Sequence, residues 1–556
     1  MRITRLAIPL LALLAALMQG CGEESATTPA PPASKPEPAL VLEFTYGSEK
    51  EKWIEEVTAR FHQLGLKSQS GLPIRIQALA MGSGEAMQEV LDGKRQPHLI
   101  SPASRAVVEL YNSRSEEKTG QPILGETQNL VLSPVVIAIW QPMAEALGWG
   151  RAPIGWQEIW RVATDPQGWA SYGHPEWGDF KFGHTHPEYS NSGLISLLAE
   201  VYAATGETRK LRLEDLEAPA VREFVQQIER RVVHYGSSTG FFGRSLFEHG
   251  PDYLSAVVLY ENMVIESYSR TLPHPIVAIY PKEGSFWSDH PIGVVERPWV
   301  TAEHKAAAQQ YIDFLLAEEQ QRLAMRHGFR PAKVEIPLGE PFTPAFGVDP
   351  KQPQRVLPIP SGQVIEAALG LWQERKRPAN MTLVVDVSGS MNEGDKIGHA
   401  RNGASQLLTM LHDADAFSLL VFNNELRWLA QGQSGSPARE GARAKVAELQ
   451  ASGGTALYDA IAAAHQRLRE SQDPERIAAL VVLSDGADTN SRLTLASLLS
   501  QIAFDPKNPI RVFPIAYGQG ASLDVLEQIA KASRGRAYQG DTREIESIFR
   551  DIGAFF

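Results

Sequence analysis

The sequence predicts an α/β chain with mostly parallel sheets, arranged as two successive modules. Three observations carry that expectation. Over 379–556, apolar strand-like runs alternate with helical runs, the order of a parallel sheet covered by helices on both faces. Those runs lack polar alternation, as strands buried on both sides do. An earlier stretch opens in the same way, with strand, helix, strand and helix patterns at 41–45, 49–64, 74–80 and 84–91.

Composition sets the outer limits. A chain of 556 residues is too long for one ordinary core and suggests about three domains. Acidic residues outnumber basic ones, 65 to 53, and no long basic stripe interleaves with aromatics, which disfavours nucleic acid as a partner. The sequence holds no P-loop, no Gly-x-Ser-x-Gly elbow and no kinase set, so no enzyme is expected.

At the amino end, Arg2 and Arg5 precede an apolar stretch at 6–18, and Gly20 stands before Cys21, the single cysteine of the chain. This is the layout of a secretory signal. The stretch is shorter than the ~20 residues that span a bilayer. It resembles a bacterial lipoprotein signal, although Gln19 stands where a smaller residue is usual. The resemblance implies lipidation of Cys21 and a place in the bacterial cell envelope, anchored to the membrane and facing the periplasm or exterior. The Pro-rich stretch 22–40 reads as an extended tether.

Within 41–345, three short loops lie before or at the start of helical runs: Tyr46-Gly47-Ser48, Gly82-Ser83-Gly84 and Ser190-Asn191-Ser192-Gly193. Helix amino ends present unpaired amides that favour anions or carboxylates. No Lys or Arg is read as immediately accompanying these loops, which leaves the ligand's charge open. The same segment carries the strand pattern at 130–140 with Ser133-Pro134, then Ile154-Gly155-Trp156-Gln157-Glu158-Ile159 and Phe182-Gly183-His184-Thr185-His186-Pro187. Late stretches follow at 277–284 and at Gly328-Phe329-Arg330-Pro331. Together they resemble a bacterial extracellular solute-binding protein. That likeness implies a two-lobed, periplasmic-binding-protein-like (type II) module with crossover strands and a cleft for a small anionic or polar ligand. It turns all three loops toward the cleft. Glu261, after an apolar strand, is a candidate polar group there. His174, His184 and His186 lack a His-Glu-x-x-His string or a cysteine pair and are expected to be loop residues rather than zinc ligands. Trp140, Trp149, Trp156, Trp160, Trp169 and Trp177 are expected to serve packing.

Residues 346–378 read as a linker to the second module, 379–556. Its strands are expected at 382–387, 416–422, 477–484 and 510–517. Helices are expected at 395–411, 438–449, 457–469, 493–502 and 523–533, with a closing run at 544–552. The first strand ends on Asp386, followed by Ser388 and Ser390; the third ends at Asp485; Thr455 starts a helix. Mg²⁺ takes oxygen ligands in near-octahedral geometry and keeps several waters. In open α/β sheets ligands sit beyond the carboxyl ends of strands, where both aspartates fall. Helix capping explains Asp386 and Ser388 singly but not a second acidic strand end at Asp485. In this order the three loops resemble the von Willebrand factor A domain and its metal-ion-dependent adhesion site. The resemblance implies a Rossmann-like domain with a central, mostly parallel sheet. It implies Mg²⁺ (or Mn²⁺ or Ca²⁺) bound directly by Ser388, Ser390 and Thr455, with Asp386 and Asp485 acting through waters and a partner protein's acidic side chain filling the open position. The expected function is non-enzymatic, metal-dependent protein–protein adhesion combined with a small-ligand cleft. The alternatives are a solute receptor of a membrane transport system and an accessory subunit of a membrane channel or assembly complex.

Overall fold

The computed structural model describes residues 38–471, 473–485, 488–505, 508–517, 523–540, 548–549 and 552–555. Cys21 and the leader 1–21, nearly all of the 22–40 tether and most of the run at 544–552 lie outside them. Among the described residues, no helix is long and apolar enough to cross a membrane.

The first apolar run folds as the strand Leu40–Gly47, paired in parallel with Ile74–Met81 and Leu99–Ser101. Pro291–Val295 and Leu124–Asn129 extend this into a five-stranded sheet. Two residues after Asn129 the chain enters a second sheet as Val131–Trp140, joined there by Ala256–Tyr260, Phe182–Thr185 and Val232–Gly236. It returns to the first sheet between Trp287–Ser288 and Pro291–Val295, and Arg330–Pro331 then pairs back onto Val131 and Leu132. These passages are the crossovers that join two α/β lobes. Trp140, Trp156 and Trp169 are buried in the second lobe, in line with a packing role.

The third sheet has the order Leu426–Ser434, Ala416–Phe422, Ala379–Asp386, Ile477–Ser484, Ile510–Tyr517, Tyr538–Gly540. All neighbours are parallel except the edge strand Leu426–Ser434, which runs antiparallel. Every residue of Ala379–Asp386 is buried, which is why its stretch 383–385 is continuously apolar. Ala416–Phe422 pairs on one side of it and Ile477–Ser484 on the other, so the strand order reverses at the carboxyl end of Ala379–Asp386.

The segment expected as a linker carries a packed helix, Gly362–Arg375. Its apolar residues Val364, Ile365, Ala368, Leu369 and Trp372 repeat at helical spacing and are buried. Arg114 of the first lobe forms a two-bonded ion pair with Glu366 at 2.9 Å, and Trp372 reaches into the second lobe.

Candidate functional site

Asp386 ends the central strand, and Ser484 ends its parallel neighbour, at the point where strand order reverses. The Ser388 amide donates to Asp386 Oδ1 at 2.8 Å, and Ser484 Oγ donates to Oδ2 at 2.7 Å. Ser388 Oγ and Ser390 Oγ lie 3.1 Å apart, and Ser390 Oγ donates to Asp485 Oδ1 at 2.7 Å. Burial raises the Asp386 carboxyl above its ordinary value against its hydrogen bonds, and the Asp485 charge adds to the rise. The Thr455 loop is tied to this group through its backbone: the Gly389 amide donates to Gly453 O at 2.9 Å, and the Ser452 amide to Val387 O at 2.7 Å. Gly453 sits at φ +85°, a conformation that a side chain disfavours. The Thr455 amide donates to Thr489 Oγ1 at 2.9 Å, which fixes the start of the helix Leu457–Glu470.

Sequence reading missed Lys396. Its Nζ lies 2.6 Å from Asp485 Oδ2 and 3.5 Å from Glu393. Burial would lower its pKa, but the Asp485 contact outweighs burial and holds it above the usual lysine value. The site thus gathers two buried carboxylates and hydroxyl oxygens, hard donors of the kind Mg²⁺ takes, with like charges whose repulsion a cation relieves. The residues fit a divalent cation.

The expected cleft loops also meet, but on each other. Ser48 Oγ donates to Ser238 Oγ at 2.9 Å and accepts from the Gly240 amide at 3.1 Å. The amide of Gly84, expected to face a ligand, donates to Tyr189 O at 3.0 Å, and that of Glu85 beside it donates to the same oxygen at 3.1 Å. Ser83 Oγ accepts from the Ala103 amide, and Ser104 Oγ bonds Asn191 Oδ1. Asn191 Nδ2 donates to Tyr260 OH at 2.9 Å, and Thr239 joins Ser190 and Ser192 through its hydroxyl. A Cβ on Gly82, Gly84 or Gly193 would strike a backbone carbonyl, so these glycines permit the close approach.

Three expectations change as a result. Tyr46 packs on Phe44 at 5.3 Å within the first lobe's core. Glu261 is held by Arg330 at 2.7 and 2.6 Å and by Tyr280 OH, which commits it to a buried ion pair rather than to a ligand. A lysine does accompany the first loop: Lys50 is fully buried, 2.7 Å from Glu49 Oε1 and 3.1 Å from His290 Nδ1, and Gly47 leaves room for the Glu49 carboxylate.

Burial and the Lys50 charge push His290 down to about 4, while Lys50 and His290 overcome burial to hold Glu49 at about 2. His290 is therefore neutral when folded between pH 6.5 and 4, where the unfolded chain takes up its proton. Stability is expected to fall by about 3 kcal/mol as pH drops through that window. Glu49 adds a further loss between 4.5 and 2. Urea titrations at pH 7, 5.5 and 4 should show the first loss in the wild type and a flatter profile in His290→Gln.

Residues 42–330, more than half of the chain, match the bacterial extracellular solute-binding proteins. The chain belongs to that family. Residues 379–539 of this solute-binding protein match the von Willebrand factor type A domain. Inter-alpha-trypsin inhibitor heavy chain H2 of Sus scrofa is 28% identical over 167 residues, 29% of this chain and 18% of that one. The uncharacterized protein sll0103 of Synechocystis sp. is 29% identical over 182 residues, 32% of this chain and 42% of its own length. The chain thus spans less than half of each of these relatives. Among solved structures, the periplasmic binding protein P5PA aligns at 14% identity and a TM-score of 0.41, covering 60% of this chain and 99% of that one. With a solute-binding domain and a von Willebrand factor type A domain, the molecule is of the binding kind.

His174, His184 and His186 have separate partners. His174 stacks on Trp177 at 3.8 Å and pairs with Glu176; His186 stacks on Tyr189 at 4.3 Å. His184 is buried with Nε2 3.1 Å from Glu229 Oε1, and Glu229 Oε2 accepts from Tyr235 OH at 2.8 Å and Trp372 Nε1 at 3.1 Å. Glu200 completes this group, and its carboxyl is pushed well above the usual range by burial and by Glu229. The network ties the helix Gly362–Arg375 to the second lobe.

Proposed function

We propose that this protein is an envelope-anchored, non-enzymatic binding protein that grips a partner protein through a divalent cation in its von Willebrand factor A domain. Ser388, Ser390 and Thr455 would hold Mg²⁺, or Mn²⁺ or Ca²⁺, with Asp386 and Asp485 behind them and an acidic side chain of the partner completing the shell. The observation that carries this reading is the hydrogen-bonded run from Asp386 through Ser388 and Ser390 to Asp485, set where the strand order reverses. Lipid on Cys21 and the tether 22–40 would hold the solute-binding domain, 41–345, and the adhesion domain, 379–556, away from the bilayer. The paired state of the cleft loops favours the adhesion site as the working face. A small ligand at Ser48 or Asn191 would first have to displace the bonds that close the lobes, and one at Ser83 the bond from the Ala103 amide.

Capture of envelope proteins on the mature chain, wild type against Ser388→Ala/Ser390→Ala, each in Mg²⁺ and in chelator, tests the reading. Partners retained by wild type with metal and lost in the other three conditions are the expected result. Identical captures in all four would refute it.

Lys396 makes the proposal sharper. Its ammonium neutralises the Asp485 oxygen that faces away from Ser390, and so competes with an added cation. Lys396→Met is expected to tighten Mg²⁺ binding about tenfold, roughly 1.4 kcal/mol, by calorimetric titration. Unchanged or weaker affinity would mean that Lys396 supports the loop instead.

A further inference from the structure

We propose that the cavity between the second lobe and the von Willebrand factor A domain is a binding site for a phosphorylated small molecule, held as a dianion against the Arg511 guanidinium. The cavity measures about 740 Å³, within the ~300–1,000 Å³ of small-molecule sites, and it lies at a domain interface where such sites concentrate. It is distinct from the expected cleft and from the metal centre, whose residues do not line it.

Its walls are basic. Lys181, Arg230, Arg231, Arg377, Arg476 and Arg511 line it, against four carboxylates. Two of those carboxylates are already engaged: Asp473 lies 3.2 Å from Arg476, and Glu475 lies 3.7 Å from Arg230. Among the described residues, no carboxylate lies within ion-pair distance of Arg511, Arg377, Arg231 or Lys181. Lys181 and Arg377 bond to backbone carbonyls instead.

Arg511 is the anomaly that points to a ligand. It projects from the strand Ile510–Tyr517, is 3% exposed, and its Nε has no hydrogen-bond partner. The rings of Tyr253, Phe504 and Phe555 surround the guanidinium at 5.5, 5.6 and 5.5 Å. Arg377 and Arg534, the other cations that act on it, repel it, and burial lowers its pKa to about 10, so the group stays charged at neutral pH. A buried charge without a counter-charge is costly, and ring faces offset part of that cost.

An anion in the cavity supplies the missing partner. The excess of basic over acidic groups in the wall is two, which matches a phosphate monoester at −1.5 to −2 near pH 7. Guanidinium binds phosphate by paired N–H donors. The volume exceeds that of the phosphoryl group, and the half-buried rings of Trp160 and Phe504 offer a surface for the organic body.

The test is calorimetric and thermal titration of the full chain in EDTA, which silences the metal centre. The probes are AMP, inorganic phosphate and KCl at matched ionic strength. Saturable stabilisation by AMP beyond KCl is expected. Affinity should fall at least tenfold in Arg231→Ala, an exposed wall residue whose loss leaves the core intact, and vanish in Arg511→Met. Without ligand, Arg511→Met should melt no lower than wild type, because it removes an unpaired buried charge. Equal affinity for phosphate and AMP would assign recognition to the phosphoryl group, and tighter AMP binding would add the organic body. No shift beyond KCl with either probe, or an Arg231→Ala affinity equal to wild type, would overturn the proposal.

Discussion

Mg²⁺ at 100 times its dissociation constant is expected to raise the unfolding free energy of the chain by about 2.7 kcal/mol, and Ser388→Ala/Ser390→Ala to erase that increment. A cation that binds the folded form alone stabilises it by mass action, and the proposed ligands come from loops that meet only when the sheet is formed. Ser388 and Ser390 follow one strand, Asp485 follows another, and Thr455 lies at the start of a helix between them in sequence. Removing both hydroxyls takes away two of the proposed ligands and the bond to Asp485, while Ser484 and Lys396 still partner the two carboxylates. The variant should therefore fold with a metal-free stability about 1–2 kcal/mol lower, the ordinary cost of lost hydrogen bonds. Denaturant titrations of both proteins in Mg²⁺ and in EDTA separate the two effects. An equal Mg²⁺ increment in both would place the cation elsewhere.

The parts of this molecule legible in its sequence are those whose signal is local. Runs at 416–422, 477–484 and 510–517 became strands with those bounds, because a strand buried on both faces is mostly apolar, with Arg511 the charged exception. Leu426–Ser434 escaped because it is an edge strand, largely exposed and rich in polar residues, and it forms by pairing with Ala416–Phe422. The helix Gly362–Arg375 did have a local signal. Val364, Ile365, Ala368, Leu369 and Trp372 are spaced for one buried face within the segment 346–378 expected as a linker.

The same division runs through the sites. Asp386 and Asp485 were readable as acidic strand ends. Lys396 was not, because it reaches Asp485 from the first turn of a helix that follows Asp395 at φ +59°. Lys50 stood two residues after Ser48, in plain view. Its meaning came from Glu49 beside it and His290, which is 240 residues away in sequence. Closure of the cleft loops on one another is likewise nonlocal. Helix-start patterns announce unpaired amides but cannot say whether a ligand or the opposite lobe will accept from them.

Trp372→Ala is expected to cost about 3–5 kcal/mol, the range for truncating a large buried aromatic. Trp372 is 1% exposed, its ring meets His186 at 4.6 Å and Tyr235 at 5.4 Å, and its Nε1 donates to Glu229. The truncation opens a cavity and also removes one of the donors that stabilise the buried Glu229 carboxylate. Trp372→Phe keeps most of the ring and should lose about 1–2 kcal/mol for the bond alone. The ion pairs flanking the same helix differ in kind. Glu366 and Glu374 are 54% and 58% exposed at their side chains, so replacing either by Ala should cost no more than about 1 kcal/mol. Urea midpoints for the four variants therefore rank the forces that hold the helix against both lobes. If Glu366→Ala were as damaging as Trp372→Ala, the attachment would be electrostatic. The expected order, with Trp372→Ala far ahead, makes it a matter of burial, insensitive to salt, so the helix stays docked under the same ionic conditions that weaken surface pairs.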